Sequence, residues 1–219
     1  KTRFRTTAKK VGDDYILNGA KAAFVSNGTL AGMLGVTASV EPDLGIHGTG
    51  LFIIPGDLPG ISRGRPMDKL GLRCLNQSEV YFDDVKVPKK YLAIRPREGN
   101  WSNFVKSFLC FGQVGVGKTA VALMRAAHEI AFAYASERIQ GGRLIIEHPN
   151  IALKLFDAHC TIEAARNMIL KASWINATRF PSDLTAGVAA RCFACNNGPR
   201  VIADMIQVGM GDKDIADIQ

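Results

Sequence analysis

The sequence predicts an α+β protein: a domain of antiparallel strands, folded as a sandwich or barrel, followed by a bundle of long helices. Two observations carry this. Residues 1–100 hold 13 of the 22 glycines and six of the nine prolines, and these breakers separate short alternating runs, which is the pattern of strands joined by tight turns. Beyond Trp101 the breakers thin out and apolar residues recur at helical spacing. The division is placed after residue 98, giving a β-domain over 1–98 and a helical domain over 99–219. At 219 residues, 47% apolar and 21% charged, the chain has room for one large or two small globular domains, and collagen-like, coiled-coil-only and disordered readings are excluded.

In the first domain, the turn signal Gly12-Asp13-Asp14 precedes the strand Tyr15-Ile16-Leu17. Ala22 to Ser26 runs into the turn pair Asn27-Gly28, and Leu34–Val40, Gly50–Ile54 and Glu79–Phe82 continue the series. Val85-Lys86-Val87-Pro88 is expected to leave the sheet, because Pro88 has no N–H to give to a ladder.

In the second domain, Leu109, Val116, Leu123 and Ile130 recur every seven residues, with Ala120, Ala127 and Tyr134 four after the last three of these. They predict one apolar helix face from about Ser102, which can cap its start, to about Ile139, with Gly141-Gly142 ending it. Such a helix is roughly 55 Å long at 1.5 Å per residue. A second helix follows His148-Pro149, with Ile151, Leu155, Ala158, Ile162, Ala165 and Ile169 on its face. A third follows Pro181-Ser182-Asp183 and runs through Leu184, Val188, Cys192 and Cys195 towards Ile206, with Gly198-Pro199 as a kink. Long helices need long partners, so the expected arrangement is an antiparallel bundle, and the small residues on these faces point to close approach by further helices.

The net charge of +7 is localised: five of the 15 Lys/Arg in residues 1–100 fall in the first ten (Lys1, Arg3, Arg5, Lys9, Lys10). This reads as a solvated arm, with no nucleic-acid patch expected. The most apolar stretch, Thr119–Ala135, carries Arg125, His128 and Glu129, so no membrane span is expected. Five cysteines, an odd number, favour reduced thiols and an intracellular setting, cytoplasmic or matrix. No signal-peptide pattern opens the chain, and its first residue, Lys1, leads us to expect a piece of a longer protein.

Gly112-Gln113-Val114-Gly115-Val116-Gly117-Lys118-Thr119 satisfies the G-x-x-x-x-G-K-[ST] pattern of a phosphate-cradling loop. The context argues for a Gly-rich helical turn instead: a P-loop sits between a buried parallel strand and a helix, and here the seven-residue spacing passes through Val116 unbroken. Asp157, which could stand as the matching acid, lies in a stretch read as helix. Cys192-x-x-Cys195 has no second ligand pair for zinc and reads as core thiols; no metal site is expected. His159 and Cys160, adjacent on a helix, point apart and make no dyad. His128 reads as a satisfied or edge histidine, and Lys118 as a snorkelling surface lysine.

Several segments, in order, resemble the acyl-CoA dehydrogenase family. Gly12–Lys21 followed by Phe24-Val25-Ser26-Asn27-Gly28 is similar to that family's β-domain opening, and Gly50–Gly56 with Pro59-Gly60-Ile61 to its next strand pair. Lys69-Leu70-Gly71-Leu72-Arg73 with Val80–Pro88 is the most specific stretch, and Ala135–Arg143 resembles the turn after the first helix of the family's C-terminal bundle. The resemblance covers essentially the whole chain. It implies a flavoprotein built from an N-terminal helical domain, a β-domain and a C-terminal four-helix domain, with this chain starting just before the second and stopping within the third.

The resemblance also implies site residues. FAD in such enzymes lies between the β-domain and the helices. Phe24 takes the place of an aromatic residue beside the isoalloxazine, Ser26 that of a hydroxyl on the flavin N5/O4 edge, and Val25 stands between them. Arg138 and Gln140 would reach FAD across a subunit interface, Arg138 pairing with pyrophosphate. The family often has Phe where this chain has Gly141. Gln207-Val208-Gly209-Met210-Gly211 resembles a shortened adenosine-binding turn lacking the usual double glycine, which makes Gln207, Gly209 and Gly211 candidates. The implied reaction is α,β-desaturation of an acyl-CoA thioester with hydride transfer to flavin N5, in a tetramer or dimer that passes electrons to an electron-transfer flavoprotein. The catalytic carboxylate is expected beyond Gln219, or, as in some members, at the position of Gly112; Asp212 and Asp214 carry no mark of a base, so no catalytic residue is assigned. The glycines of Gly112–Thr119 would leave room beside the substrate end of the flavin. Alternatives are a divergent relative (oxidase, lyase-like enzyme or inactive subunit) and a P-loop nucleotide-binding protein.

Overall fold

The computed structural model describes residues 5–96 and 101–209, which divide into two compact units, Lys1–Ser102 and Asn103–Gln219.

The first unit is built on β1 (Thr7–Val11), β2 (Asp14–Ser26), β3 (Met33–Ser39), β4 (Thr49–Pro55), β5 (Ile61–Arg63), β6 (Gln77–Pro88) and β7 (Leu92–Ile94). They form one seven-stranded sheet in the order β5-β6-β2-β1-β3-β4-β7. Gly12 and Asp13 make the two-residue turn between β1 and β2, whose register closes at Val11↔Asp14, with Gly12 at φ 62 as such hairpin turns require. Two features correct the expected sandwich or barrel of antiparallel strands. β1 and β3 pair in parallel at Thr7↔Ser39, and the terminal strands β5 and β7 do not pair with each other, so no barrel closes. The sheet curls instead. Tyr15 on β2 and Phe52 on β4, which have two strands between them in the sheet order, meet edge to face with centroids 5.2 Å apart. The concave side encloses Leu17, Val36, Ile54, Val80, Val85 and Val87.

Two further expectations fail here. Val85–Pro88 stays in the sheet: Tyr15↔Val87 and Leu17↔Val85 are ladder partners, and Val85 and Val87 are fully buried. Pro88 is the last residue of β6, so its missing N–H falls where the ladder ends. The basic N-terminal segment is not all solvated arm, because Thr7–Val11 is a strand with Ala8 buried while Lys9 and Lys10 face solvent. Lys1 and Arg3 lie outside the described residues.

The second unit contains α1 (Trp101–Glu137), the short hairpin β8 (Ile139–Gln140) and β9 (Arg143–Leu144), α2 (Pro149–Thr178) and α3 (Leu184–Val208). Leu155 meets His128 and Ile169 lies against Gly117, so α2 runs antiparallel to α1. Lys154 pairs with Asp204 and Arg200 with Thr161, so α3 turns back antiparallel to α2. Pro149 takes the first turn of α2 and Asp183 caps α3, accepting from the N–H groups of Thr185 and Ala186 at 3.0 and 3.2 Å. By length and composition alone Asn103–Glu137 would suffice to cross a bilayer. Met124, Ala127, Ala131 and Ala135 of that stretch are buried in a cluster with α2 and α3 residues, and Arg125 and Glu129 pair on its outer surface.

The helix faces are partly displaced from expectation. In α1 the buried row is Cys110, Val114, Met124, Ala127, Ala131 and Ala135; the seven-residue period holds, but Leu109, Val116 and Leu123 lie one residue round the helix and are exposed. In α3 the buried row is Gly187, Ala190, Ala194, Gly198, Val201, Met205 and Val208, while Val188 and Cys192 are exposed and Cys195 half-buried. Interfaces lined by glycine and alanine carry no signal in residue bulk. α2 follows expectation, burying Leu155, Ala158, Ile162, Ala165 and Ile169. α1 starts at Trp101, so Ser102 falls within it, and the Ser102 side chain lies outside what the structure describes; α1 ends at Glu137, and Gly141-Gly142 is the turn of the β8–β9 hairpin. α3 continues through Pro199 without interruption.

Candidate functional site

Phe24, Val25 and Ser26 close β2, Phe24 inside an irregularity in its pairing with β6 and Val25 and Ser26 just past it. Lys21 pairs with Val80 and Val25 with Ser78, so β2 carries three residues between these pairs where β6 carries one. Such a bulge re-aims side chains, and it leaves Phe24 74% exposed. Beyond it Asn27 turns at φ 56, its N–H donating to the Asn76 carbonyl at 2.7 Å. Arg63 holds the following loop: its guanidinium donates to the carbonyls of Gly28, Ala31 and Gly56 at 2.8, 2.7 and 2.8 Å. Sequence reasoning missed Arg63, for nothing local marks an arginine whose partners lie 7 to 35 residues away. It also missed Lys21, half-buried on β2, which donates to Thr37 Oγ1 at 3.2 Å and whose pKa burial lowers.

In the second unit the chain brings Gln140 and Gln207 together. A cavity of about 440 Å³ is lined by Tyr134, Gln140, His148, Asn150, Gln207 and neighbouring apolar residues. Lys154 bonds Asp204 at 2.9 Å and also Gln207 Oε1. An ammonium only donates, so the Gln207 oxygen is committed and its amide N–H groups are left for a ligand. Gly209, buried, follows α3 and donates to the Met205 carbonyl at 3.1 Å. Gly211, like Asp212 and Asp214, lies outside the described residues. Arg138 stands exposed at the root of the hairpin, and among the described residues its guanidinium has no carboxylate partner. The cavity therefore offers amide donors, which suits a ligand with ring-nitrogen acceptors, and Arg138 is not among the residues lining it. His148, Tyr134 and Asn150 were not read as site residues; they come together by tertiary folding.

The remaining candidates separate clearly. Gly112–Thr119 is helical throughout, inside α1, and the Thr119 hydroxyl bonds the Gly115 carbonyl at 3.3 Å in the manner of a helix interior. The P-loop alternative is thereby overturned, and Asp157 sits on α2. Of the three glycines, Gly117 is packed: a Cβ there would collide with Ile169 Cδ1 and lie 3.4 Å from Arg191 Cα, whereas Gly112 and Gly115 face open space. His128 is satisfied, Nε2 lying 3.2 Å from the Leu155 carbonyl, and burial lowers its pKa. Cys192 is exposed rather than a core thiol; the buried thiol is Cys110, whose pKa burial raises. Among the described residues no group of three His, Cys, Asp or Glu is arranged to hold a metal.

Comparison with known proteins matches residues 2–85 to the acyl-CoA dehydrogenase middle domain and residues 101–212 to the acyl-CoA dehydrogenase C-terminal domain. An acyl-CoA dehydrogenase of Bacillus subtilis is 33% identical over 93% of this chain and 53% of its own length. Butyryl-CoA dehydrogenase from Megasphaera elsdenii superposes with a TM-score of 0.82 at 31% identity, over 94% of this chain and 53% of that one. A chain from the structure of the electron transferring flavoprotein of Acidaminococcus fermentans superposes at 0.84 with 33% identity, over the same shares. The chain thus spans about half the length of the relatives it matches.

Proposed function

The chain belongs to the acyl-CoA dehydrogenase family, and from that premise we propose that the whole protein is a FAD-dependent enzyme desaturating an acyl-CoA thioester between its α and β carbons. The observation that carries this reading is the cavity that Gln140 and Gln207 share, with Arg138 exposed two residues before Gln140.

The residues present fit the flavin. On the first unit, an aromatic ring left 74% exposed by a bulge stands two residues from the hydroxyl of Ser26. A flat apolar face suits one side of a ring system, and a hydroxyl donor suits an edge that gains electron density. On the second unit, Arg138 would bind pyrophosphate, and the Gln140 and Gln207 amides would hold the adenosine end. Bound FAD supplies the two-electron acceptor for the hydride leaving the β-carbon. The α-proton needs a base, and none of the described residues is assigned that role. Gly112 and Gly115, with open space on the outer side of α1, would leave room for the acyl group.

In this reading the flavin is shared between subunits of an oligomer, and the reduced enzyme hands its electrons to an electron-transfer flavoprotein. The likeness to a butyryl-CoA dehydrogenase supports a short acyl chain as the first substrate to try. The test uses the full-length protein with an artificial electron acceptor and acyl-CoA thioesters of increasing length. Formation of the 2-enoyl-CoA product, read by mass spectrometry, is expected with at least one of them. FAD retention without any enoyl product would overturn the desaturase reading.

A further inference from the structure

His148 stands where the hairpin and α2 meet. It is the residue before Pro149, at φ −78 and ψ 125, and its side chain makes no capping bond to the helix it introduces. The ring reaches back over the hairpin instead. Nε2 lies 2.9 Å from the Gln140 carbonyl oxygen and Nδ1 lies 3.3 Å from Arg143 Nη2. A carbonyl only accepts and a guanidinium only donates, so one arrangement of the ring satisfies both: the proton on Nε2 and a lone pair on Nδ1.

The hairpin needs such a tie. Its two strands pair over Ile139↔Leu144 and Gln140↔Arg143 alone, and its turn is Gly141-Gly142, both at positive φ. A ladder this short has little stability of its own, and two glycines give up the most chain freedom on ordering. Backbone bonds anchor its base, from Ile145 N–H to the Arg138 carbonyl at 2.8 Å and from His148 N–H to the Ile145 carbonyl at 3.1 Å. The His148 ring bridges β8 and β9, and it lines the same cavity as Gln140 and Gln207.

We propose that His148 is a positioning residue. Its neutral ring, protonated at Nε2, latches the β8–β9 hairpin to the start of α2 and thereby sets Arg138 and Gln140 for the pyrophosphate and adenosine parts of the flavin. The latch stands on geometry alone; its ligand rests on the flavin reading above.

The experiment separates the two. In the full-length protein freed of flavin and labelled with ¹⁵N-histidine, long-range ¹H–¹⁵N correlation should show His148 as the Nε2–H tautomer. His148→Phe fills similar space without either hydrogen bond, and amide exchange over residues 139–145 should then accelerate about tenfold or more while the middle of α2 is unchanged. His148→Gln can still donate from its Nε2 and should return exchange to within about threefold of wild type. FAD dissociation constants should follow the same order. The Nδ1–H tautomer, unaltered exchange in His148→Phe, or no recovery in His148→Gln would overturn the latch. A loosened hairpin with unchanged FAD affinity would overturn the positioning role. Wild-type protein that binds no FAD yet holds a protected hairpin would instead remove the flavin reading and leave the latch. Should His148→Phe fail to fold, the tautomer of the wild-type protein still decides.

Discussion

Arg63 shows how much of the candidate flavin edge depends on one side chain far from it in sequence. Its planar fork reaches three carbonyls around the loop that follows Ser26, a task a lysine ammonium cannot duplicate. Arg63→Met is expected to cost about 2–3 kcal/mol in urea unfolding, since part-buried carbonyls lose charge-assisted donors, and Arg63→Lys to recover only part. At Gly112 and Gly115 the expectation has the opposite sign. Both sit inside a helix with open space where a Cβ would lie, so alanine at either should stabilise by about 0.5–1 kcal/mol. A lower melting temperature for both variants would contradict the helical account of this stretch. His128 adds a pH term. Burial holds its pKa below the ordinary 6.5, so the folded protein binds fewer protons than the unfolded chain as the pH falls below about that value. Stability should decline there on the acid side, and His128→Gln, which keeps a donor for the Leu155 carbonyl, should flatten that decline in urea midpoints measured between pH 7 and 5.

At the scale of elements, what the sequence revealed depended on which physical signal each element carries. α2 was legible in existence, start and face, because Leu155, Ile162 and Ile169 are both bulky and buried. α1 was legible in period but one residue out in phase: Leu109, Val116 and Leu123 are apolar yet exposed, while the buried row holds alanines that bulk does not reveal. α3 was misread for the same reason, its contact face being Gly187, Ala190, Ala194 and Gly198. Two tests belong here. Asp183→Ala removes the cap that accepts from two N–H groups and should cost about 1 kcal/mol. Ala194→Leu forces bulk into a fully buried helix contact and should cost about 1–3 kcal/mol, whereas Cys192→Leu on the exposed face should be close to neutral. Equal effects at 192 and 194 would place the α3 interface wrongly. In the sheet, the strands were found from turns and alternation, but the parallel β1–β3 pairing and the bulge that contains Phe24 depend on long-range register, which alternation does not encode.

For the whole molecule, family membership was readable in linear motifs, and the two units supply what those motifs lacked. Gln140 and Gln207, 67 residues apart in sequence, line one cavity of about 440 Å³, and Phe24 with Ser26 is presented on a curled open sheet. His148 was noticed only as a helix start; its contact with Gln140 emerges once the hairpin folds back over it. The account predicts that Arg138→Ala, which removes an exposed cation with no carboxylate partner among the described residues, weakens FAD binding about tenfold or more in equilibrium dialysis while leaving the urea midpoint within experimental scatter. The most direct test of the central claim is the anaerobic visible spectrum of the full-length protein, purified gently and titrated with butyryl-CoA and then longer acyl-CoA thioesters. A flavin band that bleaches on addition of acyl-CoA is the predicted result. A protein that stays colourless after FAD is added, or whose flavin band no acyl-CoA bleaches, would contradict it.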